Sequence, residues 1–162
     1  MKKKLTIIEL NEFNLDLLKD YAFRFNLVNI QDILKSKVIT TFSKDKKEHF
    51  GLDPWVQWVS IHTGLPSEVH KIKALGTGNQ LSFNQIWDVL VKNKISVGIW
   101  GAMNSVYRKS NLLKFFIPDP WSYNELCHPS ELNEFLSLPK YFAKNYIQPN
   151  IFKLLICFVK TI

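Results

Sequence analysis

Two pairs of polar side chains stand where their types and spacing could do chemistry. Glu9 and Asn11 flank Leu10 at the end of the apolar run of residues 5–10. A carboxylate and an amide oxygen at the carboxyl end of a buried strand can hold a divalent cation or contact a phosphate, because open α/β sheets place ligands there. The same residues would serve equally as a solvated strand end, with Asn11 turning the chain. Asp53 and Gln57 lie one helical turn apart at the start of residues 53–63. A helix amino terminus stabilises anions, and Asp53 is a candidate catalytic group there, with the Gln57 amide a hydrogen-bond donor beside it. In the plainer reading Asp53 caps the helix and Gln57 satisfies buried backbone groups.

The histidines add less. His62 falls at the carboxyl end of the same helix, where partial negative charge favours the imidazolium, and its surroundings suit core packing. His70 belongs to the turn that follows. His49 and His128 lie near Glu48 and Glu131, but without the spacing of a metal site. Trp55 and Trp58 read as core, or as an aromatic wall for a substrate ring.

These candidates depend on the elements that carry them. Residues 5–10 (LTIIEL) form a short apolar, β-branched run, the pattern of a strand buried on both faces of a parallel sheet. Leu15, Leu18, Ala22 and Phe25 then recur at helical spacing. Residues 38–42 (VITTF) are a second candidate strand, followed by the charged loop SKDKKEH. Residues 53–63 read as a helix with Pro54 at its first position and Gly64 and Pro66 stopping it. Its apolar residues lie nearly all round, which predicts burial deep against a sheet. The GTG at residues 76–78 does not complete a dinucleotide fingerprint. Residues 83–92 predict a helix with Phe83, Ile86, Trp87 and Leu90 inward. Residues 95–100 and 115–117 predict strands, and 131–136 a short helix, with Pro129, Pro139 and Pro149 interrupting the rest.

The expectation is an α/β fold with a mostly parallel sheet flanked by helices. Residues 1–106 form its core, and 107–162 an aromatic- and Pro-rich cap of the same domain. The apolar residues 151–162 need a cover, either self-association or a further carboxy-terminal part of the protein. They are too few to span a bilayer, which takes about 20 residues, and an amphipathic anchor is the alternative.

The net charge of +7 comes from small lysine groups: Lys2 to Lys4; Lys44, Lys46 and Lys47; Lys71 and Lys73. Arginine, the residue best suited to bidentate phosphate and base contacts, occurs only as Arg24 and Arg108, which argues against nucleic acid as a partner. Cys127 and Cys157 form no CxxC or Cys/His pattern and read as packed thiols of a reduced, cytoplasmic chain. The apolar stretch behind the amino-terminal lysines is too short for a signal peptide.

The order of motifs carries a resemblance. Residues 54–66 (PWVQWVSIHTGLP), then His70-Lys71-Ile72, resemble the alkaline phosphatase superfamily and its type I phosphodiesterase/nucleotide pyrophosphatase branch. There a helix ends in Thr-Gly, followed by a proline-containing turn and His-Gly-Ile. Thr63-Gly64, Pro66 and His70 match, and Lys71 stands where glycine is usual. Residues 86–90 (IWDVL) and 97–101 (VGIWG) resemble the family's next elements.

The resemblance implies a hydrolase of phosphate or sulfate esters, phosphodiesterase- or sulfatase-like, acting on a small molecule or glycan with two divalent metals, zinc foremost. It places Asn11, with Glu9 beside it, at the first metal position, and Gln57 near the substrate anion. The nucleophile position falls on Pro54, which has no nucleophilic side chain; Thr40, Thr41 or Ser43 would serve only if the alignment slipped. The family's later ligands have no counterpart, so the sequence reads as the amino-terminal part of such an enzyme, as a non-catalytic domain that keeps the fold, or as an inactive truncated product.

Overall fold

The computed structural model describes residues 4–47 and 51–161; Lys2, Lys3, Glu48 and His49 lie outside the described residues. The chain divides into two compact units, one up to Phe42 and the other from Ser43.

The first unit is a helical hairpin, α1 (Leu15–Arg24) and α2 (Val28–Leu34). Asn14 caps α1 by accepting the Leu17 N–H at 2.9 Å, and the Gln31 amide donates to the Ala22 carbonyl at 2.9 Å. Ala22 is fully buried between them. The expected strands at residues 5–10 and 38–42 do not form. β-Branched content favours extended backbone, but a strand exists only in a ladder. Neither segment joins a sheet among the described residues, and Leu5 and Ile8 are 84% and 77% exposed.

In the second unit α3 (Pro54–Thr63) starts on Pro54 and ends on Gly64 in the left-handed conformation, φ 70°, which glycine adopts without steric cost. The Asp53 side chain makes no cap hydrogen bond. Its carbonyl accepts the Val56 and Gln57 N–H groups at 2.9 Å each, so Asp53 starts the helix through its backbone. A short α4 (Ser67–His70) packs on α3. Val59 of α3 meets Ile72, Leu81 and Val106 rather than a sheet face. His62 extends the core, its ring 4.8 Å from that of Trp87 and 5.9 Å from that of Trp58.

Helix α5 (Ile86–Lys92) begins three residues later than the periodicity predicts. Phe83 and Ile86 stay exposed and Trp87 alone of the four is buried. Asp88 stops the helix from extending backward by accepting the Gln85 N–H at 2.7 Å. Strands β1 (Val97–Trp100) and β2 (Leu113–Ile117) pair in parallel, the one sheet among the described residues. Trp87, Ile99, Ala102, Leu113 and Phe116 pack as its core. The architecture is therefore mixed helix and strand around a small parallel sheet.

After a 3-10 turn (Ser130–Asn133), α6 (Ser137–Asn145) and α7 (Ile151–Thr161) form a second helical hairpin. Pro139, expected to interrupt, sits in the first turn of α6, where a missing N–H breaks no helical bond.

Candidate functional site

The loop before α3 folds back so that one carboxylate gathers four donors. Asp45 Oδ1 accepts the Ser67 N–H at 2.9 Å and the Ser67 hydroxyl at 2.8 Å. Its Oδ2 accepts the Gln57 amide at 2.8 Å and the Ser60 hydroxyl at 3.2 Å. Gln57 and Ser60 lie on α3, and Ser67 opens α4. Asp45 thus clasps two helices to the loop. Burial raises its carboxyl pKa, but the donors from Ser67, Gln57 and Ser60 outweigh this and hold it below its ordinary value.

The clasp continues to His70, which is 2% exposed. Ser60 Oγ lies 3.0 Å from His70 Nε2, while His70 Nδ1 accepts the Ile72 N–H at 3.1 Å. A backbone N–H can only donate, so Nδ1 carries no proton and a neutral ring must carry it on Nε2. Nε2–H therefore donates to Ser60, and the Ser60 hydroxyl donates onward to Asp45. The three groups match a serine hydrolase in kind but not in direction. In a nucleophilic serine the hydroxyl proton points at a bare imidazole nitrogen. Here it points at a carboxylate and the imidazole is the donor.

His70 is held neutral mainly by burial, with Lys73 adding to the effect and Asp45 opposing it, so its pKa lies below the ordinary 6.5. Both folded-state values are depressed, and the folded state therefore binds fewer protons than the unfolded chain as pH falls. The His70 contribution is complete above about pH 6.5 and is lost as pH drops through its folded value; the Asp45 contribution goes at lower pH, below about 3.8. Urea midpoints should be flat from pH 8 to about 7 and then fall with acidification, by at most about 1.4 kcal/mol per pH unit for each proton taken up. Burial raises the Glu125 carboxyl pKa in the same unit and opposes this fall, so a pH profile unchanged by His70→Gln would remove His70 from the account.

The turn that presents His70 is strained at one residue. Lys71 closes α4 with φ 65°, a conformation that costs a non-glycine residue roughly 1–2 kcal/mol. Lys71→Gly should stabilise the chain by about 0.5–1 kcal/mol after glycine's greater chain entropy is counted. A thermal melt showing no gain would contradict this.

The expected site residues divide between the two units, Glu9 and Asn11 in the first and Asp53 and Gln57 in the second. Gln57 Nε2 donates to Asp45 and also to the Gly51 carbonyl at 2.5 Å, so both its amide protons are taken within the chain. Asn11 is exposed in a turn and Glu9 half-buried in coil. Without the expected strand, no sheet edge positions them. No group of three or more His, Cys, Asp or Glu residues able to hold a metal ion occurs among the described residues.

Sequence reasoning missed Asp45, which sits in a stretch read as a charged loop, and a second hub at Asn104. Asn104 is fully buried with φ 53°. Its side-chain amide donates to the carbonyls of Trp55 at 2.9 Å and Ala74 at 3.1 Å. Its N–H donates to Asp119 Oδ2 at 3.2 Å, and its carbonyl accepts the Gln85 amide at 3.3 Å. A Cβ on Gly78 would stand 2.6 Å from the Asn104 carbonyl oxygen, so the second glycine of GTG serves close packing rather than phosphate binding. Both arginines are also engaged: Arg24 pairs with Asp20, and Arg108 with Asp88 and the carbonyls of Leu81 and Phe83. Neither cysteine is in a disulfide, and burial raises the Cys127 thiol pKa.

Comparison with protein-family models, curated proteins and solved structures finds no match to this chain.

Proposed function

We propose that this chain is a non-catalytic binding domain built on an alkaline phosphatase-like pattern, in which the helix that would carry a nucleophile has become a structural clasp. The observation that carries this reading is the Asp45–Ser60–His70 chain of hydrogen bonds. It engages the polar groups on and beside α3 and directs the Ser60 proton away from the histidine. Pro54 at the resemblance's nucleophile position supports the same conclusion. Neither Cys127 nor Cys157 is in a disulfide, which fits a cytoplasmic protein.

A second reading is a metal-dependent hydrolase of phosphate or sulfate esters, with zinc at Glu9 and Asn11 and the ester near Asp53 and Gln57. The left-handed backbone at Lys71, where the resemblance has glycine, favours it. An assay with an aryl phosphodiester and an aryl sulfate, each with zinc or manganese, separates the two. The first reading expects no turnover above the buffer rate. Metal-dependent turnover lost in Glu9→Gln and Asn11→Ala would overturn it in favour of the second.

A further inference from the structure

We propose that the α6–α7 hairpin docks on an anionic lipid bilayer surface, with α7 lying in the plane of the interface. Leu154 and Cys157 are the half-buried positions of α7, and the Ser137 hydroxyl of α6 donates to the Cys157 carbonyl at 2.9 Å. The opposite face holds Ile151, Phe152, Leu155, Ile156 and Val159, exposed by 55–79%. Tyr146 and Ile147, in the segment that joins the two helices, are also exposed.

Charge selects the occupant. No acidic residue follows Glu134, while Lys140, Lys144, Lys153 and Lys160 do. Lys140 is turned inward, its Nζ donating to the Glu125 carbonyl at 2.5 Å; Lys144, Lys153 and Lys160 are exposed. The helical repeat sets Lys153 and Lys160 together on one flank of the apolar face. A bilayer buries such a face while the lysine stems extend to lipid phosphates. Residues 4–42 also expose Leu5 and Ile8, but Glu9, Glu12, Asp16, Asp20 and Asp32 balance Lys4, Lys19, Arg24, Lys35 and Lys37 there, so charge gives an anionic surface no preference for that segment. Lys153 and Lys160 stand on one flank of the 11-residue α7 beside its apolar face, the charge placement of a helix lying in the interface plane. Among the described residues no helix is long and apolar enough to cross a membrane.

The test is sedimentation of the full chain with phosphatidylcholine vesicles, with and without about 30% phosphatidylserine. Binding should require the anionic lipid and weaken as salt is added. Lys153→Gln with Lys160→Gln should lower the partition coefficient roughly twentyfold, and Phe152→Ser with Ile156→Ser should abolish binding. Should the serine variant lose its helical circular dichroism, the lysine variant, altered only at exposed positions, decides alone. Equal binding to neutral vesicles, an unchanged lysine variant or no binding would overturn the proposal. Self-association without vesicle binding, lost in the serine variant, would overturn it in favour of a second copy of the chain.

Discussion

Asp45→Ala is expected to destabilise the unit from Ser43 onward by about 3 kcal/mol. The carboxylate accepts four hydrogen bonds, and bonds to a charged acceptor are worth roughly 1.5–3 kcal/mol each when considered singly. The contributions do not add, because partial exposure lets water replace some of them. Asp45→Asn should recover about a third of the loss, since it keeps one acceptor oxygen but presents an N–H2 to a donor. Ser60→Ala should cost about 1–2 kcal/mol, because Asp45 keeps its bonds from Ser67 and Gln57 while the buried His70 Nε2–H loses its acceptor. Urea unfolding followed by tryptophan fluorescence orders the three. Equal effects of Asp45→Ala and Ser60→Ala would show that the carboxylate is not the centre of the clasp.

A comparable loss, about 3 kcal/mol, is expected for Asn104→Ala. The substitution removes the donor shared by the Trp55 and Ala74 carbonyls, leaves a buried gap and puts alanine at φ 53°. Asparagine tolerates this backbone better than other side-chain-bearing residues. Asn104→Gly should therefore be the milder variant by about 1 kcal/mol, although it removes the same amide. Asn104→Asp should be the worst, because it sets a carboxylate oxygen against two carbonyls. If glycine and alanine prove equal in thermal melts, the backbone conformation is not what selects asparagine here.

What could be read in advance follows from where the information lies. The α3 helix was legible because its punctuation is local: Pro54 at its start, Gly64 and Pro66 at its end. Strands β1 and β2 were legible from compact apolar runs beside a turn. Residues 5–10 have an equally apolar run, yet no strand forms, because pairing depends on a partner that the run does not specify. The start of α5 moved for a similar reason. Gln85 looks like a helical residue, but its side chain is committed to the Asn104 carbonyl and the Val106 N–H. Asp45 was illegible because its partners Ser60 and Ser67 lie 15 and 22 positions away, beyond any local period. Asp53 and Gln57 drew attention by their spacing. Gln57 does meet a carboxylate, that of Asp45 on the same chain.

The most direct test is the protonation pattern of the His70 ring, read from long-range proton–nitrogen correlations at neutral pH with His70→Gln for assignment. The hydrogen-bond directions require a neutral ring protonated on Nε2 and bare on Nδ1, where it receives the Ile72 N–H. A bare Nε2 facing Ser60 would contradict the account, because it would make the histidine a base for that hydroxyl and the clasp a candidate nucleophile.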